Sequence, residues 1–274
     1  MNSRAGGVLL GGDIPDVQGS RDMRNIAIER VGVKGVRCPI RWRGAAAEWP
    51  AVARFNLYVS LPAEQKGTHM SRFIALLDQR SAATAPALDV AGLVDMHASM
   101  LDLLQSDRGR IEVSLSLFIR KAAPVSGVMS LMDYELDLVV DGNRDAPQVT
   151  LTIVAPVTTL CPCSKEISEY GAHNQRSHVR IEVCAEHSLT PEQLIRIAED
   201  EASCELYGVL KRVDEKHVTE RAYDNPKFVE DLIRDVAARL RAEPRIRSFT
   251  VEVENFESIH NHSAYARIES GAPR

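Results

Sequence analysis

Seventeen consecutive residues, Leu160 to Arg176, read LCPCSKEISEYGAHNQR and bring two thiols (Cys161, Cys163), an imidazole (His173) and the cations Lys165 and Arg176 into one segment. Thiolate and neutral imidazole are preferred ligands of Zn²⁺ and related first-row ions. Cys-x-Cys is too tight for a zinc knuckle, and no second pair follows, so the spacing argues against a structural four-thiolate site. A catalytic site with few protein ligands and an open position fits it better. Two free thiols beside a hydrogen-bonded loop histidine are the competing reading of the same residues.

Two further clusters could supply ligands or proton-transfer groups. Asp214, Glu215, Lys216, His217, Glu220 and Arg221 lie between two helical patterns, where carboxylate and imidazole can act as acid, base or ligand, or simply form a solvated charged turn. The segment ESIHNH places His260 and His262 at i and i+2, on one side of an extended chain. His97 falls on an apolar helical stripe and reads as a core histidine. Glu230 flanks another stripe and can pair with Arg234 at i+4. No phosphate-cradling glycine loop, nucleophile elbow or HExxH motif occurs, so any phosphate falls to side chains such as Lys165, Arg176, Lys216 or Arg221.

The elements that must position these groups are legible in the hydrophobic pattern. Period-2 alternation marks strands at Phe55–Leu61, Ile111–Ile119, Met132–Val140, Val149–Ala155, Val179–Val183 and Phe249–Val253. Helical spacing marks Met70–Leu77 and Leu93–Leu104 in the first half. In the second half Thr190, Pro191 and Gln193 form a helix-start signature, and the stripe continues as Leu194, Ile197, Ala198, Ala202, Leu206 and Val209. Asn225 and Pro226 open the last helix, with its stripe at Val229, Leu232, Ile233, Val236 and Leu240. The order strand, strand, helix, helix, strand, strand occurs twice, with a turn signature near Asp141–Pro147. The expected fold is therefore α+β, in two tandem units that each pack two helices on one face of a four-stranded antiparallel sheet. The expected divisions are a mobile arm over residues 1–20, a first unit over 21–145 and a second over 146–274.

Composition narrows the class. A net charge of −5 with mixed signs lacks the basic footprint of a nucleic-acid binder, and no apolar run is long enough to span a bilayer. Five cysteines in a chain of 274 residues favour a reducing compartment with free or metal-bound thiols, hence the cytoplasm.

LCPCSKEISEYGAHNQR, followed by DEKHVTERAYDNPKFVED and FESIHNHSAYA, resembles GTP cyclohydrolase of type IB, and the resemblance runs from about Asp16 to the C-terminus. It implies a tunnelling fold with two such units per chain, assembled as a homotetramer with sites at subunit interfaces. It also implies the conversion of GTP to 7,8-dihydroneopterin triphosphate and formate, at the start of folate synthesis. Carried onto this chain, it makes Cys161, His173 and Glu215 ligands of one divalent ion (Zn, Fe or Mn), with His260 as a further ligand or proton-transfer group. The ion would activate water for attack at guanine C8. Glu230 would anchor the purine by accepting two N–H bonds from N1 and the exocyclic amine, donors that adenine lacks. Lys165, Arg176, Lys216, His217, His69 and Arg72 are the remaining candidates for substrate contact. Two alternatives stay open: a tunnelling-fold nitrile reductase with a nucleophilic cysteine, and a binding module with a structural metal.

Overall fold

The structure is a computed structural model and describes residues 18–82 and 84–271. The alternating segments form one antiparallel sheet whose strands follow chain order. β1 (Ile28–Arg43), β2 (Glu48–Leu61), β3 (Arg108–Ala122) and β4 (Met129–Asn143) make its first half. β5 (Gln148–Leu160), β6 (Asn174–Ala185), β8 (Ile246–Asn255) and β9 (Ala264–Ser270) continue it, and the two-residue β7 (Cys204–Glu205) pairs with β5. The sheet is continuous across the expected seam, since β4 pairs with β5 from Glu135 opposite Val154 to Asp141 opposite Gln148.

Register explains the core. Leu57 stands opposite Ile111, Leu138 opposite Leu151, and Ile181 opposite Val251, all fully buried on the same face. Because side chains alternate faces, that register sends Arg110, Glu112, Glu182 and Glu252 to the wet side. The buried face is covered by α1 (Met70–Ser81), α2 (Val90–Leu104), α4 (Pro191–Glu201) and α6 (Val229–Ala242). His97 sits in this core, fully buried, with Nε2 bonded to the Gly109 carbonyl at 2.9 Å. The start of α4 is as its sequence predicts, with Pro191 as first residue and the Thr190 N–H donating to Gln193 Oε1 at 3.1 Å.

The second half departs from the two-helix expectation. The stripe through Ala202, Leu206 and Val209 does not extend α4, which stops at Glu201. Instead the chain turns so that Cys204 pairs with Thr158 of β5, and the hydrogen bonds of that pairing outweigh helix propensity. The charged segment expected as a loop is a helix, α5 (Arg212–Asp224). Only Asp214 and Ala222 are buried along it, so it has no apolar stripe to read. A six-residue helix, α3 (Pro162–Ile167), also forms inside the Cys/His segment. Of the expected arm, residues 1–17 lie outside the described residues. The remainder is tied down: the Gln18 and Ser20 carbonyls accept the N–H groups of Gly67 and Lys66.

A polar network crosses the junction between the two halves. Lys121 of β3 donates to Glu199 of α4 at 2.8 Å and contacts Glu205 of β7 at 2.5 Å, while the Tyr134 hydroxyl of β4 donates to Glu199 at 2.6 Å. The Lys121, Glu199 and Glu205 side chains are 10%, 6% and 11% exposed, so their charges depend on one another rather than on water. Burial pushes the Glu205 carboxyl up, but Lys121, Tyr207 and Arg196 outweigh it and hold the group below its ordinary value. A carboxylate lowered in this way stabilises the fold above the unfolded value of about 4.3 and loses that contribution as pH falls. Lys121→Met should therefore cost about 3 kcal/mol near pH 7, by leaving buried carboxylates unpaired. In urea denaturation the deficit relative to wild type should shrink as the pH is lowered below about 4. An equal deficit at pH 7 and pH 3.5 would contradict this account.

Candidate active site

Cys161 is the residue at which β5 becomes α3, and its backbone is held from two sides. Its N–H donates to the His173 carbonyl at 3.1 Å, and its own carbonyl accepts the Lys165 N–H at 3.2 Å. The half-buried thiol, in the N-cap position of α3, accepts the Ser164 N–H at 3.5 Å. The excursion therefore closes on itself and returns His173 beside Cys161 at the start of β6. Cys163, the second residue of α3, is exposed.

Two other segments join this loop. The Lys227 N–H, three residues before Glu230, donates to the Leu160 carbonyl at 3.0 Å, so the approach to α6 is fastened beside Cys161. Glu230 lies in the first turn of α6, is exposed, and makes no ion pair with Arg234 among the described residues. The β8–β9 connection is carried across by Phe256, whose N–H donates to the Arg176 carbonyl and whose ring meets His178 edge-on at 4.8 Å. This brings the Ser258 hydroxyl to 3.3 Å from His173 Nδ1. His260, two residues further, is exposed and stacked on His262 with ring centroids 5.3 Å apart.

The remaining candidates are placed as follows. Lys165 donates to the Tyr223 carbonyl at 2.6 Å and covers the Tyr223 ring, which commits its charge locally. Lys216 pairs with Glu220 at i+4, and the Arg72 guanidinium donates to the Leu103 carbonyl. Arg176 is exposed on the wet face and makes no ion pair among the described residues. His217 is exposed on α5. His69, the N-cap residue of α1, shares a cavity of about 540 Å³ with Arg21 and Arg72.

Glu215 lies in the first turn of α5, eight residues before Tyr223, or about 12 Å along the helix axis. The opposite end of that helix is the one near the Cys/His loop. Among the described residues, no three His, Cys, Asp or Glu side chains gather into a group able to hold a metal. Cys161 and His173 are thus joined by a backbone hydrogen bond within one chain, while Glu215 and His260 do not complete a ligand set with them. The thiol and imidazole that these two residues carry are of the right kind for a first-row transition ion.

Two residues that shape this region, Gln175 and Ser258, carry no role in the sequence reading, and a third, Asp214, enters it only as part of a charged cluster able to supply an acid, base or ligand, or to form a solvated turn. Gln175 and Ser258 carry no titratable group to draw notice. Asp214 is completely buried and accepts hydrogen bonds from the N–H groups of Val125, Ser126 and Lys211 and from the Ser126 hydroxyl, at 2.6 to 2.9 Å. Burial alone would raise its pKa, but these donors hold the carboxyl well below the usual carboxylate range. Asp214 therefore clamps the β3–β4 turn to the helix end that carries Glu215.

A continuous antiparallel sheet with helices on one face and polar loops at strand ends defines the tunnelling-fold class. The arrangement is similar to that of uricase from Bacillus fastidious, with a TM-score of 0.52, 11% identity and coverage of 89% of this chain and 92% of that one. Uricase from Arthrobacter globiformis aligns with a TM-score of 0.50 and 9% identity over 98% and 97% of the two chains. At such identities the likeness speaks for the fold alone. Sequence goes further: residues 14–266 match the family described as type I GTP cyclohydrolase FolE2. The chain is 59% identical over 256 residues to GTP cyclohydrolase FolE2 of Herminiimonas arsenicoxydans, covering 93% of this chain and 97% of that relative. It is 56% identical over 269 residues to the enzyme of the same name from Janthinobacterium sp. (strain Marseille), covering 98% of each. The chain belongs to the FolE2 family of type I GTP cyclohydrolases.

The Asp214 clamp can be tested without substrate. Asp214→Ala should speed hydrogen exchange at Val125, Ser126 and Lys211 while leaving the strand amides of β5 and β6 protected. Unchanged exchange at those three amides would show that the carboxylate does not hold the turn.

Proposed function

We propose that this chain hydrolyses GTP to 7,8-dihydroneopterin triphosphate and formate at a metal site centred on Cys161 and His173. The observation that carries the reading is the convergence of three segments on one point. The Cys/His loop, the α5–α6 connection leading to Glu230 and the β8–β9 connection bearing Ser258 meet around Leu160 and His173.

Cys161 and His173 would hold the ion, and zinc, iron and manganese all suit their donor types. When bound, such an ion supplies Lewis acidity and activates water for hydrolysis at a purine ring carbon. The chain's own groups supply recognition. Glu230, exposed and without an ion pair among the described residues, would accept parallel N–H bonds from guanine N1 and its exocyclic amine, which adenine cannot offer. Arg176 is the cation best placed for a phosphate, since Lys165, Lys216 and Arg72 already have partners. His69 lies by the Arg21 and Arg72 cavity and fits an outlying phosphate. His260 and His217 remain proton-transfer candidates for the later ring opening and closure.

Glu215 and His260 as further ligands require a neighbouring copy or a shift of the α5 and β8–β9 segments. A homo-oligomer, a tetramer by family resemblance, agrees with the open sheet. Its edge strands β1 and β9 leave one row of backbone groups each for another strand. Among the described residues no helix is long and apolar enough to cross a membrane. All five cysteines are free, as expected in a reducing cytoplasm.

Formate release from GTP by metal-stripped protein, reconstituted with one ion at a time, tests the reading. Cys161→Ala should abolish release and Cys163→Ala should retain it. Glu230→Gln should lower kcat/KM for GTP by about 10- to 100-fold, the worth of hydrogen bonds to a charged acceptor. Failure of every divalent ion to support release from GTP would sink the proposal.

A further inference from the structure

His173 has two ring nitrogens, and only the one with a free lone pair can bind a metal or take up a proton. Its Nδ1 lies 3.1 Å from Gln175 Oε1 and 3.3 Å from Ser258 Oγ, and its Nε2 has no hydrogen-bond partner among the described residues. Gln175 is itself held from behind. Its Nε2 donates to Thr159 Oγ1 at 2.8 Å, and Thr159 Oγ1 lies 2.8 Å from Ser177 Oγ. Thr159 and Ser177 are completely buried and Gln175 is 7% exposed, so no water competes for these contacts.

We infer that Gln175 is a positioning residue that sets which nitrogen His173 presents to the site, a role that rests on reading His173 as the site's imidazole ligand. An amide oxygen only accepts hydrogen bonds. With the amide nitrogen spent on Thr159, the oxygen faces Nδ1, and Nδ1 must carry the proton. In a neutral imidazole that leaves the lone pair on Nε2. The Ser258 oxygen, on the same side of the ring, shares this Nδ1–H as a second acceptor. The buried row Ser177, Thr159, Gln175 therefore converts the packing of β5 against β6 into a fixed histidine tautomer. An outer partner of this kind also fixes ring orientation and raises ligand basicity. Ser177 pairs with Asn255 across β6 and β8, so the row is anchored to the strand that delivers Ser258 as well.

The reversed amide would give the opposite result: Gln175 Nε2 would donate to Nδ1, and His173 would point an N–H from Nε2 into the site. This makes the inference directly measurable. In metal-free full-length protein labelled with ¹⁵N-histidine, the neutral ring of His173 should be the Nδ1–H tautomer. Thr159→Val removes the acceptor that orients the amide and should produce a mixture of tautomers. Gln175→Leu should weaken Zn²⁺ binding, measured by chelator competition, about 10- to 100-fold. Gln175→Glu keeps an acceptor at Nδ1 and should stay within a few-fold of wild type. Circular dichroism of each variant separates misfolding from the effect sought.

A wild-type Nε2–H tautomer would overturn the inference. So would Zn²⁺ affinity unchanged in a folded Gln175→Leu protein. If wild-type protein binds no Zn²⁺ at all, the metal reading fails, and the tautomer spectrum alone decides the role of Gln175.

Discussion

Everything at the candidate site hangs on the backbone of two residues, Leu160 and Cys161. The Leu160 carbonyl accepts the Lys227 N–H, and its own N–H donates to the buried Ser203 hydroxyl; Cys161 N–H donates to the His173 carbonyl. These bonds join the end of β5, the turn after α4, the approach to α6 and the start of β6. The Leu160–Ser203 bond is buried, where an unmade backbone hydrogen bond is costly. A group held this way is placed by the sheet rather than by its loop. That is why a seventeen-residue segment with few core residues can still hold the backbones of Cys161 and His173 against each other.

The sheet imposes the complementary constraint. Its strands bury alternate residues under four helices, so the groups on the wet face are separated by the strand spacing and face solvent. Close polar constellations must then come from strand ends, where several connections meet. The Cys/His loop, the α5–α6 connection and the β8–β9 connection all lie there. The polar network of Lys121, Glu199, Glu205 and Tyr134 obeys the same logic at the junction of the two halves, where β3, β4, α4 and β7 converge.

What could be read from sequence follows from which forces leave a one-dimensional trace. Strands β3 to β6 alternate cleanly because one face is buried along most of their length, and α6 shows its stripe for the same reason. The Thr190–Gln193 start of α4 is local chemistry and was legible too. The end of α4 was not, because Cys204 leaves the helix to pair with Thr158, a contact 46 residues away in sequence. Helix α5 was missed because it is held by Asp214 accepting four hydrogen bonds, not by an apolar face. At the site, thiols and imidazoles announced themselves by type, and Glu230, the proposed guanine anchor, emerged only through family resemblance. The uncharged residues that orient them left no signal of their own.

The separation of Glu215 from Cys161 and His173 follows from the way α5 is tethered. Its first turn is clamped to the β3–β4 turn through Asp214, and its last turn meets the Cys/His loop through Tyr223 and Lys165. A helix is stiff over three to four turns, so Glu215 cannot approach His173 by bending; the whole helix would have to swing or shift. Swinging it breaks the buried Asp214 contacts, whereas supplying Glu215 from an adjacent copy leaves them intact. The same tether that keeps one chain from closing the ligand set therefore holds Glu215 exposed and rigid on its outer surface, the condition in which a carboxylate can serve a neighbouring site. On this argument the clamp favours a site shared between chains over one completed by local rearrangement.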